Sequence, residues 1–257
     1  LVPTEKELTV LRKQLEESKA LTQELAGVIH GVADRLPAFT RETEYIGLSS
    51  KHEYALYDGI ITSTDDGLHP AYRNYKEVMQ EYLVPHSTAK YSKHARESYM
   101  VGALARYNIN ADKLHKSAKE VAAMFGLKPI TYNPFLNTIA QLVEFVHSLD
   151  DSISLIDQLL EHGVRNEKPV KTSAKAGRGV GIVEVPRGIL VHDYTLNSKG
   201  YCTKANCIIP TNQNHANIQL DMEKLVPEIL DKPEKEIELT LEMLVRAYDP
   251  CISCSTH

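Results

Sequence analysis

The chain of 257 residues contains no tryptophan, only four phenylalanines and only four cysteines. It also has no apolar run long enough to cross a bilayer and no signal-peptide pattern, so a membrane span is not expected. Four cysteines in a chain of this length do not make a disulfide scaffold, which fits a reducing, cytoplasmic setting. A formal net charge of −5 argues against a nucleic-acid surface, and the one basic run, Lys168–Arg178, is broken by Pro, Gly and Ser. No internal repeat is visible. There is no regular βαβ alternation, which argues against a doubly wound sheet. The chain begins at Leu1 without a methionine and reads as a piece of something longer.

Chemistry is concentrated at the other end, in Asp249-Pro-Cys-Ile-Ser-Cys-Ser-Thr-His257. A C-x-x-C turn aims both sulfurs at a common point, so Cys251 and Cys254 can present two thiolates to one soft metal ion. Pro250 fixes its own φ and disfavours helix at Asp249, so a preceding helix should end there. Taken alone, C-x-x-C also suits a structural zinc half-site or a redox pair. A redox pair belongs at a helix start within a βαβ unit, and only three residues follow Cys254, so metal is preferred.

The body reads as α+β: a mainly helical segment over 1–163, a loop over 164–181, and a β-rich segment with two helices and the tail over 182–257. Thr4 and Glu7 make a capping-box pattern for a helix over 4–35. Its stripe is Leu8, Leu11, Leu15, Leu25, Ile29 and Val32, interrupted at Ser18 and Thr22. Short strands are expected between Tyr45 and Ile61, and helices over Tyr72–Leu83 and Asp112–Phe125. Phe135–His162 forms one long helix or two, stopped by Gly163, with Ile139, Leu142, Val143, Val146 and Leu149 as core. Ile182–Val191 reads as a hairpin about Pro186-Arg187-Gly188, and Cys207–Thr211 as a strand ended by a proline. Helices follow over Asn217–Leu230 and Glu234–Tyr248, the second starting at Pro233.

The tail, D-P-C-x-x-C-x-x-H, resembles the C-terminal motif of the large subunit of [NiFe] hydrogenases. It is accompanied by E-V-P-R-G at Glu184–Gly188, by Ile209-Pro-Thr-Asn212, by Tyr99-Met-Val-Gly-Ala-Leu-Ala-Arg-Tyr-Asn108 and by His52-Glu-Tyr-Ala-Leu-Tyr-Asp-Gly59. The resemblance implies a Ni–Fe(CN)2(CO) centre with Cys251 as a terminal nickel ligand and Cys254 bridging nickel to iron. His257, with the backbone carbonyl of Cys207, would bind a magnesium or iron ion near the terminus. Arg187, Pro210 and Thr211 are implied to bind the cofactor, Arg187 and Thr211 donating to the cyanides, with Asp249 beside the open face of the centre. Anionic cyanides need donors in a dry pocket, so the assignment is physically coherent. A guanidinium is a permanent cation, which makes Arg187 an electrostatic stabiliser and a cysteine sulfur the better proton acceptor.

The sequence departs from that family at its start: four thiolates are needed on nickel, two of them from an N-terminal C-x-x-C that is not here. Cys202 and Cys207 are spaced C-x4-C and read as ordinary small side chains in a strand. Were all four cysteines to converge, a structural zinc site would result. The resemblance therefore implies the C-terminal portion of a large subunit for the reversible heterolytic oxidation of H2, inactive alone. Its partners would be an Fe–S small subunit, the N-terminal part of the large subunit and cofactor-reducing subunits. Gln213, where periplasmic-type members carry tryptophan, points to the cytoplasmic branch. A zinc-binding or redox C-x-x-C module, and a non-catalytic relative of the respiratory NADH dehydrogenase subunit, are the competing readings; the two tail cysteines count against the second.

Overall fold

The structure, a computed structural model, is described for residues 2–70, 74–166 and 168–255. Helix α1 spans Glu5–His30 and opens with the capping box: Thr4 Oγ1 accepts from the Glu7 N–H at 3.2 Å, and the Glu7 carboxylate accepts from the Thr4 N–H at 2.7 Å. The buried face matches the expected stripe only in part: Leu15 and Ile29 are half-buried. Leu8, Thr22 and Ala26 face inward, whereas Leu11, Leu25 and Val32 are exposed. Thr22 sits in the contact because its hydroxyl donates to the Ser18 carbonyl, which removes the cost of burying it. Helix α1 packs along α5 (Asn137–His162), held by Arg12–Asp157 and Lys19–Asp150 ion pairs.

A four-stranded sheet, order β3-β2-β1-β6, is built from β1 (Glu44–Ser49), β2 (Ile60–Ser63), β3 (Gly67–His69) and β6 (Tyr99–Met100), with β1 and β6 parallel. The helix anticipated over 72–83 shrinks to one turn, α2 (Tyr75–Val78); Tyr72 lies outside the described residues. Its remainder becomes β4 (Gln80–Tyr82), paired with β5 (Tyr91–Lys93), because Tyr82 and Tyr91 face each other across the pair at 5.9 Å between ring centroids. Helices α3 (Ala103–Asn110) and α4 (Lys116–Met124) are separated by a 3-10 turn and an extended Leu114, which shortens the helix expected from Asp112. Helix α5 is continuous, ends at Gly163 with φ 75°, and buries all five residues of its anticipated stripe.

The second sheet is an antiparallel meander, β7 (Gly177–Val185), β8 (Gly188–Leu196) and β9 (Cys202–Ile208). The loop therefore ends before Gly177: Gly177, Gly179 and Gly181 pair with Leu196, Tyr194 and His192, on a stretch of strand that is mostly exposed. Helix α6 (Pro210–Ile229) starts well before Asn217. Pro210 occupies its first turn, where the missing N–H costs nothing, so Pro210 and Thr211 open a helix instead of closing a strand. Helix α7 (Glu234–Ala247) and a four-residue turn, α8 (Ile252–Ser255), complete an α+β architecture. No helix among the described residues is long and apolar enough to cross a membrane.

Candidate functional site

The Pro186-Arg187 turn is set in place by one buried side chain, Arg106 of α3, which is 1% exposed. Its Nε and Nη2 hold the two Glu144 oxygens at 2.6 and 2.7 Å, and Nη1 holds Glu184 at 2.8 Å. The remaining N–H groups of Nη1 and Nη2 donate to the carbonyls of Val185 and Pro186, both at 2.9 Å. All five guanidinium donors are thus used, three on carboxylates and two on the turn itself. Glu184 also accepts from the Leu48 N–H, and Glu144 from the Tyr54 hydroxyl. Burial pushes the Glu184 carboxyl above the ordinary glutamate range although Arg106 pulls it down. Burial likewise drives the Tyr54 phenol far up, with Glu144 adding to it.

The turn also rests on α3. Gly188 has φ 133°, and a Cβ there would lie 2.4 Å from Val101 Cγ2. Reciprocally, a Cβ on Gly102, at φ 115°, would come within 3.1 Å of the Arg187 carbonyl oxygen. Two of the family-like motifs therefore require glycine because they touch one another.

Arg187 reaches from this turn to the tail. Its Nε donates to the Asp249 carbonyl and its Nη2 to Asp249 Oδ1 at 3.1 Å. Asp249 turns the chain out of α7 with φ 50°. Gln141 donates to its other carboxylate oxygen at 3.3 Å. Asn137 donates to the Ala247 carbonyl at 2.7 Å while accepting from the Leu104 N–H, and Tyr248 is buried with its hydroxyl on Asp221 and Asn217. Cys251 follows, its N–H donating to Thr211 Oγ1 at 3.1 Å, so the Thr211 hydroxyl proton is left to donate elsewhere.

Cys251 and Cys254 face each other with Cα atoms 5.3 Å apart and their sulfurs bonded; as metal ligands they would have to be reduced to thiolates. Arg187, Asp249, Thr211, Cys251 and Cys254 are thus brought together, with Pro210 beside Thr211 at the buried start of α6. His257 lies outside the described residues. Cys207 is exposed on β9, its sulfur 3.6 Å from the Tyr194 hydroxyl and 3.9 Å from His192 Nδ1. The sulfur of Cys202 meets the Lys204 carbonyl instead, so the four cysteines do not converge on one zinc site. His192 is half-buried and its Nδ1 meets the Tyr194 hydroxyl at 2.7 Å.

Two adjacent sulfurs, in a tail held by a cation through Asp249 and by a hydroxyl with its proton to spare through the Cys251 N–H, suit half of a thiolate set for a soft metal that carries anionic ligands. Pattern reading, which takes α5 as a core stripe alone, does not find Glu144, Gln141 and Asn137. Their spacing, 137, 141 and 144, is the signal: a second, polar stripe along the same helix.

Among solved structures, the whole chain superposes on 61% of one chain of NAD+-reducing [NiFe]-hydrogenase with a TM-score of 0.83 at 24% identity, so the fold is that of a hydrogenase chain. The model of the family described as nickel-dependent hydrogenase matches residues 15–257, and the chain belongs to that family. It is 35% identical over 209 residues to the alpha subunit of sulfhydrogenase 1 of Pyrococcus furiosus, covering 79% of this chain and 47% of that one. It is 33% identical over 239 residues to one of the subunits of the F420-non-reducing hydrogenase of Methanothermobacter marburgensis, covering 84% and 48%. The chain spans about half the length of these curated relatives.

Proposed function

We propose that this chain is the part of a hydrogenase large subunit that supplies half of the nickel–iron site, with Cys251 and Cys254 as its thiolate ligands. One observation carries the reading: the tail sulfurs lie side by side in a segment pinned by Arg187 through Asp249 and by Thr211 through the Cys251 N–H. The nickel–iron group, when bound, supplies the heterolysis of dihydrogen. Arg187 holds positive charge at the mouth of the site and donates to anionic ligands, and Thr211 donates its hydroxyl proton. Cys254 Sγ takes up the released proton, since a thiolate of moderate basicity is a better acceptor than a permanent guanidinium cation. Asp249 keeps Arg187 aimed, its own carboxylate steadied by Gln141.

Two further thiolates come from the N-terminal part of the large subunit, and electrons leave through an Fe–S small subunit to cofactor-reducing subunits. Without those partners the chain is inactive. His257 and the Cys207 carbonyl would hold a magnesium or iron ion, and the setting is cytoplasmic. The test is Cys254→Ser in the full-length protein with its partner subunits. Hydrogen-dependent dye reduction and nickel content should both be lost, and retained activity would overturn the ligand role. Bound zinc with no response to nickel would instead favour a zinc module, and reversible opening of the Cys251–Cys254 bond without metal uptake a redox one.

A further inference from the structure

Beside the four-stranded sheet, a second group of metal-type ligands assembles that the hydrogenase reading does not use. Asp66, in the β2–β3 turn, His69, at the end of β3, and His94, just after β5, place one ligand atom each within 4.8 Å of one another. Both histidines turn Nε2 toward the Asp66 carboxylate: His69 at 2.6 Å from Oδ1, His94 at 3.5 Å from Oδ2. Tetrahedral ligation at about 2.0–2.1 Å separates ligand atoms by about 3.3 Å, which the His94–Asp66 pair at 3.5 Å already approaches, while the His69–Asp66 pair at 2.6 Å must open to reach it. Asp66 is half exposed, which gives it room to adjust and leaves a vertex for water.

The group behind His94 is the second observation. Glu44, the first residue of β1, is fully buried, and its carboxylate accepts the His94 Nδ1–H at 2.6 Å. It also accepts from Ser63 Oγ and from the N–H groups of Ala95 and Arg96. A carboxylate offers no proton, so Nδ1 is the donor and Nε2 keeps its lone pair for a ligand; this is the carboxylate–histidine–metal relay. Among the described residues, Glu44 has no lysine or arginine partner, and the nearby Arg96 side chain is engaged with Asp65 and Glu42. Two carboxylates, Glu44 and Asp66, thus flank one imidazole, and among the described residues neither has a lysine or arginine partner, so a cation bound at His94 would meet negative charge on both sides.

We propose that Asp66, His69 and His94, with Glu44 orienting His94, form a binding site for a divalent cation of the zinc class that ties the β2–β3 turn to the segment before β6. It is separate from the thiol site because its ligands are two nitrogens and an oxygen, which suit zinc or cobalt(II) without any sulfur. The test uses the full-length polypeptide stripped of metal and titrated with Co2+ and with Zn2+. The expected result is a Co2+ site whose tetrahedral visible bands persist when the thiols are alkylated and carry no thiolate charge-transfer band, and under the same conditions a zinc absorption-edge spectrum with a nitrogen/oxygen shell. His94→Gln should abolish this signal, and the milder Glu44→Gln should weaken binding about 10–100-fold. Asp66→Asn, at an exposed turn, is the variant that keeps the fold if His94→Gln does not. A wild-type protein with only sulfur-bound metal, or a nitrogen/oxygen signal unchanged in folded Asp66→Asn, would overturn the site.

Discussion

Replacing Arg106 by methionine, which keeps most of the stem volume, removes all five of its guanidinium hydrogen bonds, three to carboxylates and two to the Pro186-Arg187 turn. Two carboxylates then lose their cation, one of them, Glu184, on a fully buried side chain, and two turn carbonyls lose their donor. Breaking a buried ion pair from one side costs about 3–5 kcal/mol, and this site stands at the upper end because one cation serves both acids. Against a total stability of roughly 5–15 kcal/mol, most of the margin would go. The cost should depend on pH in a defined direction. Burial already raises the Glu184 carboxyl and Arg106 opposes it, so without Arg106 the folded-state value rises further. A carboxyl raised in the folded state binds a proton there that the unfolded chain lacks, so it costs stability as pH climbs from the ordinary 4.5 to the raised value. The deficit of Arg106→Met should therefore shrink as pH falls from neutrality toward 4.5. Denaturant midpoints of the full-length polypeptide across pH would measure it, and adding Glu144→Gln and Glu184→Gln should recover part of the loss. A cost under about 1 kcal/mol, the level of an exposed pair, or a deficit independent of pH, would refute the view that Arg106 is the keystone of the turn.

Gly188→Ala should be strongly destabilising: left-handed backbone costs an L-residue about 1–2 kcal/mol, and its Cβ would meet Val101 at 2.4 Å. Thermal unfolding of Gly188→Ala with and without Val101→Gly separates the two terms, since removing the Val101 side chain takes away the contacts at 2.4 and 2.7 Å and not the φ; full recovery in the pair, relative to Val101→Gly alone, would show that strain is negligible. Asp193, gripped by two guanidinium nitrogens of Arg178, is held down to about 2, with the Tyr75 hydroxyl assisting. Its contribution is present above the ordinary aspartate value of 3.8 and is lost as pH falls toward 2. Carboxyl titration by NMR should return Asp193 close to the ordinary range in Arg178→Met, and an unchanged value would show that the pair does not govern it.

What could be read from the sequence was whatever local chemistry decides. The capping box at Thr4 and Glu7, the stop at Gly163 and the core stripe of α5 depend on neighbours within a turn or two, and each stands where the pattern put it. Partners distant in sequence were not legible. Thr22 looked like a break in a stripe because its burial depends on α5, more than a hundred positions away. The stretch after Val78 carries helix-compatible residues, but the β5 strand claims it. The glycines from 177 to 181 suggested a loop, yet β8 supplies the hydrogen bonds that make them a strand.

At the site the same division holds, and it explains why the family-like motifs occur together. Each one is a fragment of a single contact: Tyr54 lies on Glu144, Arg106 joins Glu144 to Glu184, Gly102 and Gly188 let the two backbones meet, and Thr211 receives the Cys251 N–H. Read singly, an arginine inside a helix and a glycine after a turn have ordinary explanations. Their joint effect is to aim Arg187 at Asp249 and so to hold the two tail sulfurs at the mouth of the turn. Arg187 and Asp249 are themselves both partly exposed, so their own pairing is too weakly buried to supply that order. Rigidity has to come from the buried shell behind them, where one guanidinium spends all its donors. A site of this kind is preorganised from the inside outward, and a change at Arg106 should move the tail sulfurs although it touches neither of them.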